Sequence, residues 1–146
     1  MNRLNGVQKA GKFSVTFDVA NDSDIANAQN GLVAPEKVRR QTIKGVVDSA
    51  ATSLVLPQSV ANRLGLRVID KVGVQYADGR RATREVVGGV NVVLLGRPTI
   101  VSALVKPHRR TALIGAIVLE AVDLLVDCKH QRLVPRNPRQ VIHEIE

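Results

Sequence analysis

A chain of 146 residues is long enough for one domain with a sizeable core and leaves little room for a second. Hydrophobic residues make up 45% of it but aromatics only 2%, so the core must be built mainly from Val, Leu, Ile and Ala, a set whose β-branched members favour strands. The formal net charge of +8 admits nucleic acid, an anionic membrane surface or an acidic protein as partner, but one Tyr and two Phe leave few stacking platforms, which argues against nucleic acid.

From Lys12 to Ala20, Phe13, Val15, Phe17 and Val19 alternate with Ser14, Thr16 and Asp18, the period of a half-buried strand. Residues 21–37 lack apolar periodicity and read as a long loop with at most one helical turn. Val38 to Val47 reads as a second strand running straight into Asp48-Ser49-Ala50-Ala51-Thr52. A short apolar strand, Ser53 to Leu56, follows, then a short helix opened by Pro57 and stopped at Gly65. Lys71 to Tyr76 and Arg80 to Val87 flank Ala77-Asp78-Gly79, a strong hairpin signal because the tight turn needs positive φ. Val90 to Leu95 and Thr99 to Val105 flank Gly96-Arg97-Pro98, a second hairpin.

After a basic loop, Lys106 to Arg110, come Ala112 to Gly115, a short helix Ala116 to Ala121 and a strand Asp123 to Asp127. A turn, Cys128 to Gln131, leads to a last strand, Arg132 to Pro135, and a polar tail, 136–146, that turns apolar at Val141. Short strands, hairpin turns and one or two short helices predict an all-β, mainly antiparallel small barrel, with residues 1–146 forming a single domain. Two segments are alike in order, each passing from strand to small-residue turn to helix: Gly45 to Leu66 and Leu113 to Asp127.

Cys128 stands alone, which rules out an internal disulfide or a cysteine-cluster zinc site, and His108, His130 and His143 have no metal-binding spacing. The sequence therefore calls for no metal and no organic cofactor. The first residues, Met1 to Gly6, lack the apolar run of a signal peptide, and no stretch approaches the roughly 20 apolar residues of a membrane span. The expectation is a soluble, cytoplasmic protein with no membrane partner.

Chemistry concentrates in Gly45 to Pro57. An apolar strand delivers the carboxylate of Asp48, followed by a hydroxyl (Ser49), two small residues (Ala50, Ala51) and another hydroxyl (Thr52). Small residues let a second backbone approach, and hydroxyl and amide groups orient a carboxylate. Taken alone, Asp48-Ser49 also fits an ordinary turn. Asp22-Ser23-Asp24 has the same dipeptide but lies in a polar stretch.

The segment resembles the active-site motif of retropepsin-like aspartic peptidases, Asp-Thr/Ser-Gly-Ala-Thr/Ser after apolar residues. Its continuation, Leu54-Val55-Leu56-Pro57 through Leu64-Gly65-Leu66, is similar to the bacterial and retroelement branch of that family. Tyr76-Ala77-Asp78-Gly79-Arg80 resembles the hairpin that becomes the flap. Leu113-Ile114-Gly115-Ala116 resembles the apolar-apolar-Gly motif that packs behind the active site, and Leu119 to Asp127 the helix and strand after it.

The resemblance, from about Val38 to Pro135, implies a closed barrel of the retroviral aspartic protease type and an aspartic endopeptidase acting on peptide or protein substrates. It implies Asp48 as the catalytic residue, with Ser49, Ala50, Ala51 and Thr52 in support. Tyr76, Ala77, Asp78 and Gly79 would form the flap that contacts substrate, and Ile114 and Gly115 would pack behind the site. Such enzymes use two carboxylates sharing one proton, and the chain has one suitable motif, so a homodimer with an Asp48 from each copy is expected. The tail 136–146 then becomes a candidate dimer-interface strand.

Ala50 stands where the family has glycine, so the alternative is a catalytically impaired dimer that binds peptides without cleaving them. Arg80, Arg81 and Arg84 read as solvated strand residues, with a preference for acidic peptides as the sharper alternative; Lys106, His108, Arg109 and Arg110 carry the same choice.

Overall fold

The computed structural model describes residues 12–146. The signal-peptide reading of the first residues lies outside them. The elements are β1 (Lys12–Asn21), α1 (Asp22–Gln29), a 3-10 turn (Pro35–Lys37), β2 (Arg40–Asp48), β3 (Leu54–Pro57) and α2 (Gln58–Leu64). There follow β4 (Val68–Gln75), β5 (Arg81–Leu94), β6 (Arg97–Lys106), β7 (Ala112–Ile114), α3 (Ala116–Ala121), β8 (Leu124–Asp127) and β9 (Arg132–Pro135).

Strands pair in the order β1-β2-β7-β3-β6-β5, and a further β1–β5 pairing closes the ring into a six-stranded barrel. Closure leaves those strands without a free edge. β4 pairs only with β5 and stands outside the ring, while β8 and β9 form a separate hairpin. Pairing is mainly antiparallel, with β2–β7 and β3–β6 parallel. The two like segments noted in the sequence thus meet at β2 and β7, with Val46 opposite Leu113 and Val47 opposite Ile114.

The barrel interior is aliphatic, as the composition requires. Val47, Leu54, Leu56, Leu64, Val90, Val92, Leu94, Ile114 and Val118 are buried to below 2% exposure, and Phe17 is the one aromatic in the cluster. α2 closes one side by burying Val60, Ala61 and Leu64, and ends at Gly65 with φ +63, the left-handed stop expected there.

Two sequence expectations are corrected. Residues 22–29 are helical rather than loop, which makes three short helices instead of one or two. The Asn21 side chain accepts the Asp24 N–H at 3.0 Å, a helix cap, and acidic residues fill the first turn. α1 buries none of its residues, so it left no apolar pattern to read. Secondly, the expected strands 80–87 and 90–95 are one strand, β5, whose register slips between Val87 and Val90. Gly89, at φ +64, absorbs the bulge, so β5 runs from the outlying hairpin into the barrel wall.

Candidate active site

Asp48 is the last residue of β2. Strand alternation sets the direction of its side chain. Val47 and Ile114 are buried in the core, so Asp48, Val46 and the paired Leu113 share the opposite face and are half-buried. Val55 lies opposite Leu113, and Leu104 opposite Val55, which extends this face as an apolar strip across β7, β3 and β6. The Asp48 carboxylate is 17% exposed at one end of the strip.

The turn after Asp48 is fixed by backbone. The Ala50 N–H donates to Asp48 Oδ1 at 3.1 Å, and the Ala51 N–H donates to the Asp48 carbonyl at 3.1 Å. Two N–H groups from the first turn of α3 brace it from behind. Ala116 donates to the Ala51 carbonyl at 2.8 Å, and Ile117 to that of Thr52 at 3.0 Å. Gly115 makes this approach possible, because a Cβ there would lie 2.7 Å from Thr52 C and O and from Ser53 O. Ile114 fills the core beneath.

Ala50 is exposed, and its φ is outside the positive range that only glycine adopts freely. The methyl that departs from the family pattern therefore adds no backbone strain. Ser49 and Thr52 are exposed, and neither hydroxyl makes a hydrogen bond among the described residues. No sequence pattern points to Lys12, whose Nζ lies 3.7 Å from Asp48 Oδ2. It arrives there because β1 and β2 pair with Lys12 directly opposite Asp48, a register visible only once the hairpin is formed.

The hairpin β4–β5 carries the other predicted site residues. The Gly79 N–H donates to the Tyr76 carbonyl at 2.9 Å, the Tyr76 N–H to the Arg80 carbonyl at 2.8 Å, and Gly79 has φ +86. Asp78 accepts the Arg80 N–H at 3.0 Å and its Nε at 2.7 Å, and these two bonds hold its carboxyl below the usual range. Ala77, Asp78 and Gly79 are exposed at the tip. Tyr76 turns inward instead. With Val74 it lines a cavity of about 220 Å³ whose other walls include Val55, Leu104 and Leu113, the strip that leads to Asp48. Larger cavities, of about 370 and 600 Å³, lie along β1–β2 and beside the tail, and neither is lined by Asp48 or its turn.

Elsewhere, Asp123 is buried and occupied structurally. Its carboxylate accepts from Asn137 Nδ2 at 2.8 Å, the Ile142 N–H at 3.1 Å and Arg136 Nε. These bonds tie residues 136–142 to the barrel that carries them. Among the described residues no group of three His, Cys, Asp or Glu gathers as a metal site, and no helix is long and apolar enough to cross a membrane.

Residues 34–118, more than half of the chain, match the family model described as aspartyl protease. A comparison with curated proteins finds no match. Among solved structures, the chain is similar to the EIAV protease complexed with the inhibitor HBY-793, with a TM-score of 0.52 and 17% identity over 75% of this chain and 86% of that one. It is also similar to the retroviral protease-like domain of Ddi1 from Leishmania major, with a TM-score of 0.51 and 21% identity over 84% of this chain and 88% of that one. The barrel, the strand-borne Asp48 and the family match agree: the chain belongs to the aspartyl protease family, with a retropepsin-like fold.

Proposed function

We propose that the chain is an aspartic endopeptidase that acts as a homodimer, with water activated between Asp48 and the partner subunit's Asp48. The observation that carries this reading is the setting of Asp48: a carboxylate at the end of an apolar strand, oriented by the Ala50 N–H, on a face that leads under a hairpin. One protomer supplies half of the chemistry. The Ser49 and Thr52 hydroxyls, which make no hydrogen bond among the described residues, are suited to hydrogen bonds with the same turn of a second copy.

Two carboxylates a few Å apart share one proton, because both cannot ionise cheaply. The ionised one removes a proton from water as its oxygen attacks the peptide carbonyl carbon. The protonated one gives its proton to the carbonyl oxygen. Collapse of the tetrahedral diol breaks the C–N bond: the protonated carboxyl gives its proton to the departing nitrogen, the ionised one takes a proton from a diol hydroxyl, and the dyad again holds one proton. In this reading the hairpin tip, Tyr76 to Gly79, closes over the peptide and excludes bulk water.

Asp48→Asn should reduce cleavage of a peptide library by at least about 10³-fold, since it removes acid–base chemistry rather than binding. Cleavage at the wild-type rate by a folded variant contradicts the proposal. The non-cleaving alternative rested on Ala50, and its ordinary φ leaves only the bulk of one methyl in that reading's favour.

A further inference from the structure

The cavity under the hairpin is charged in a way the peptidase reading does not require. Arg84, Lys106 and Arg109 all line it, and no acidic residue does. Each is half-buried, and none has a carboxylate within ion-pair distance among the described residues. Arg84 donates from Nη2 to the Tyr76 hydroxyl at 2.9 Å, and Arg109 donates from Nε to the Thr111 carbonyl at 2.6 Å. The Lys106 ammonium sits 4.7 Å from the centre of the Tyr76 ring, with the Arg84 guanidinium carbon at 5.9 Å.

The nearby acids are accounted for. Asp78 is paired with Arg80, and Glu85 follows Arg84 on the strand and so projects from the other face. Arg84 and Lys106 converge on the Tyr76 ring, and Arg109 lines the same cavity. Arg84 also donates from Nη1 to the Thr83 carbonyl at 3.1 Å, and the Lys106 ammonium makes no hydrogen bond among the described residues. Apolar walls from Val55, Val74, Leu104 and Leu113 lower the local dielectric and strengthen whatever anion enters. At about 220 Å³ the cavity is below the roughly 300–1,000 Å³ of small-molecule sites and suits one side chain. Leu113 pairs with Val46, two residues before Asp48 on the same face, so Asp48 lies about 8 Å away at ordinary strand spacing and rise.

We infer that this cavity is a subsite that takes the carboxylate side chain of a substrate aspartate or glutamate, held by Lys106, Arg109 and Arg84. The inference rests on the peptidase reading of the Asp48 face and names the substrate class of that site. It assigns the selectivity to Arg84 and to two residues of the basic loop, whereas Arg80 is neutralised by Asp78. A bidentate guanidinium contact favours a planar carboxylate over the neutral amide of the same shape.

The test separates binding from turnover. Equilibrium binding to the Asp48→Asn chain is measured for a peptide series in which each position in turn carries Glu or Gln. At one position Glu should bind at least about tenfold tighter than Gln, and the difference should shrink as salt rises from 50 to 500 mM. Lys106→Glu and, separately, Arg109→Gln should reduce that ratio at the same position, with circular dichroism confirming folding. Indistinguishable binding of Glu and Gln at every position overturns the inference, as does a Glu preference that survives both substitutions. Cleavage by the wild-type chain is scored independently, so a chain that cuts peptides without acidic preference fails this inference while keeping the peptidase reading.

Discussion

At the scale of single residues, two backbone facts decide how the Asp48 turn is held. Gly115 is required by space rather than by φ, because the carbonyls of Thr52 and Ser53 occupy the position its Cβ would take. Gly115→Ala should cost about 1–3 kcal/mol, a typical overpacking penalty, and lower the thermal midpoint. It should also reduce turnover more than stability alone explains, since Ala116 and Ile117 then donate to a displaced turn. Unchanged melting and activity would show that the turn is not held in this way. Ala50 is the opposite case. With no positive φ to relieve, Ala50→Gly should destabilise by roughly 0.4–1 kcal/mol through the freer unfolded chain, measurable by urea denaturation. A gain in stability would indicate strain at Ala50. Asp48 and its neighbours were legible in the sequence because a carboxylate ending an apolar run is a local signal. The approach of Lys12 to Asp48 and the convergence of Arg84 and Lys106 on Tyr76 were not, because they depend on register between strands far apart in sequence.

At the scale of elements, whatever buries an apolar face was readable and whatever is held by polar contacts was not. β2, β3, α2 and α3 carry the core and fall close to where alternation and helix stops placed them. α1 is held by the Asn21 cap, by Asp24 bonded to Arg39, and by Asn91 bonded to Asp22, none of which leaves a periodic trace. The tail is fixed in a similar way. Asp123, just after α3, adopts φ +57, a left-handed position that Asp and Asn tolerate better than most residues. Its bonds from Asn137, the Ile142 N–H and Arg136 lower its pKa from 3.8 to about 2. A carboxylate depressed in the folded state adds stability that is complete above its unfolded pKa and is lost as pH falls through its folded one. The chain should therefore lose this contribution between about pH 4 and pH 2. Asp123→Asn keeps the backbone preference but removes the charge, so its stability should fall less steeply over that window in urea titrations. An acid limb identical to wild type would show that Asp123 does not anchor the tail.

At the scale of the molecule, the six-stranded ring buries a largely aliphatic core, with Phe17 its one buried aromatic, and leaves the Asp48 carboxylate, the Ser49 and Thr52 hydroxyls and the hairpin β4–β5 outside that core. Mutual pairing of two such faces across a two-fold axis is the arrangement that makes a dyad from one motif per chain. Fold and carboxylate were readable from sequence; the gathering of Arg84, Lys106 and Arg109 into one cavity was not, since it depends on β4–β5 folding back over the β6–β7 loop. The most direct test of the shared dyad is subunit mixing. Wild-type and Asp48→Asn chains are combined in equal amounts, allowed to exchange, and assayed at fixed total concentration. If each active unit needs Asp48 from both copies, activity falls to about a quarter of that of the wild type alone, following the square of the wild-type fraction. A fall to only about half, linear in that fraction, would mean that each chain works by itself and would contradict the shared dyad.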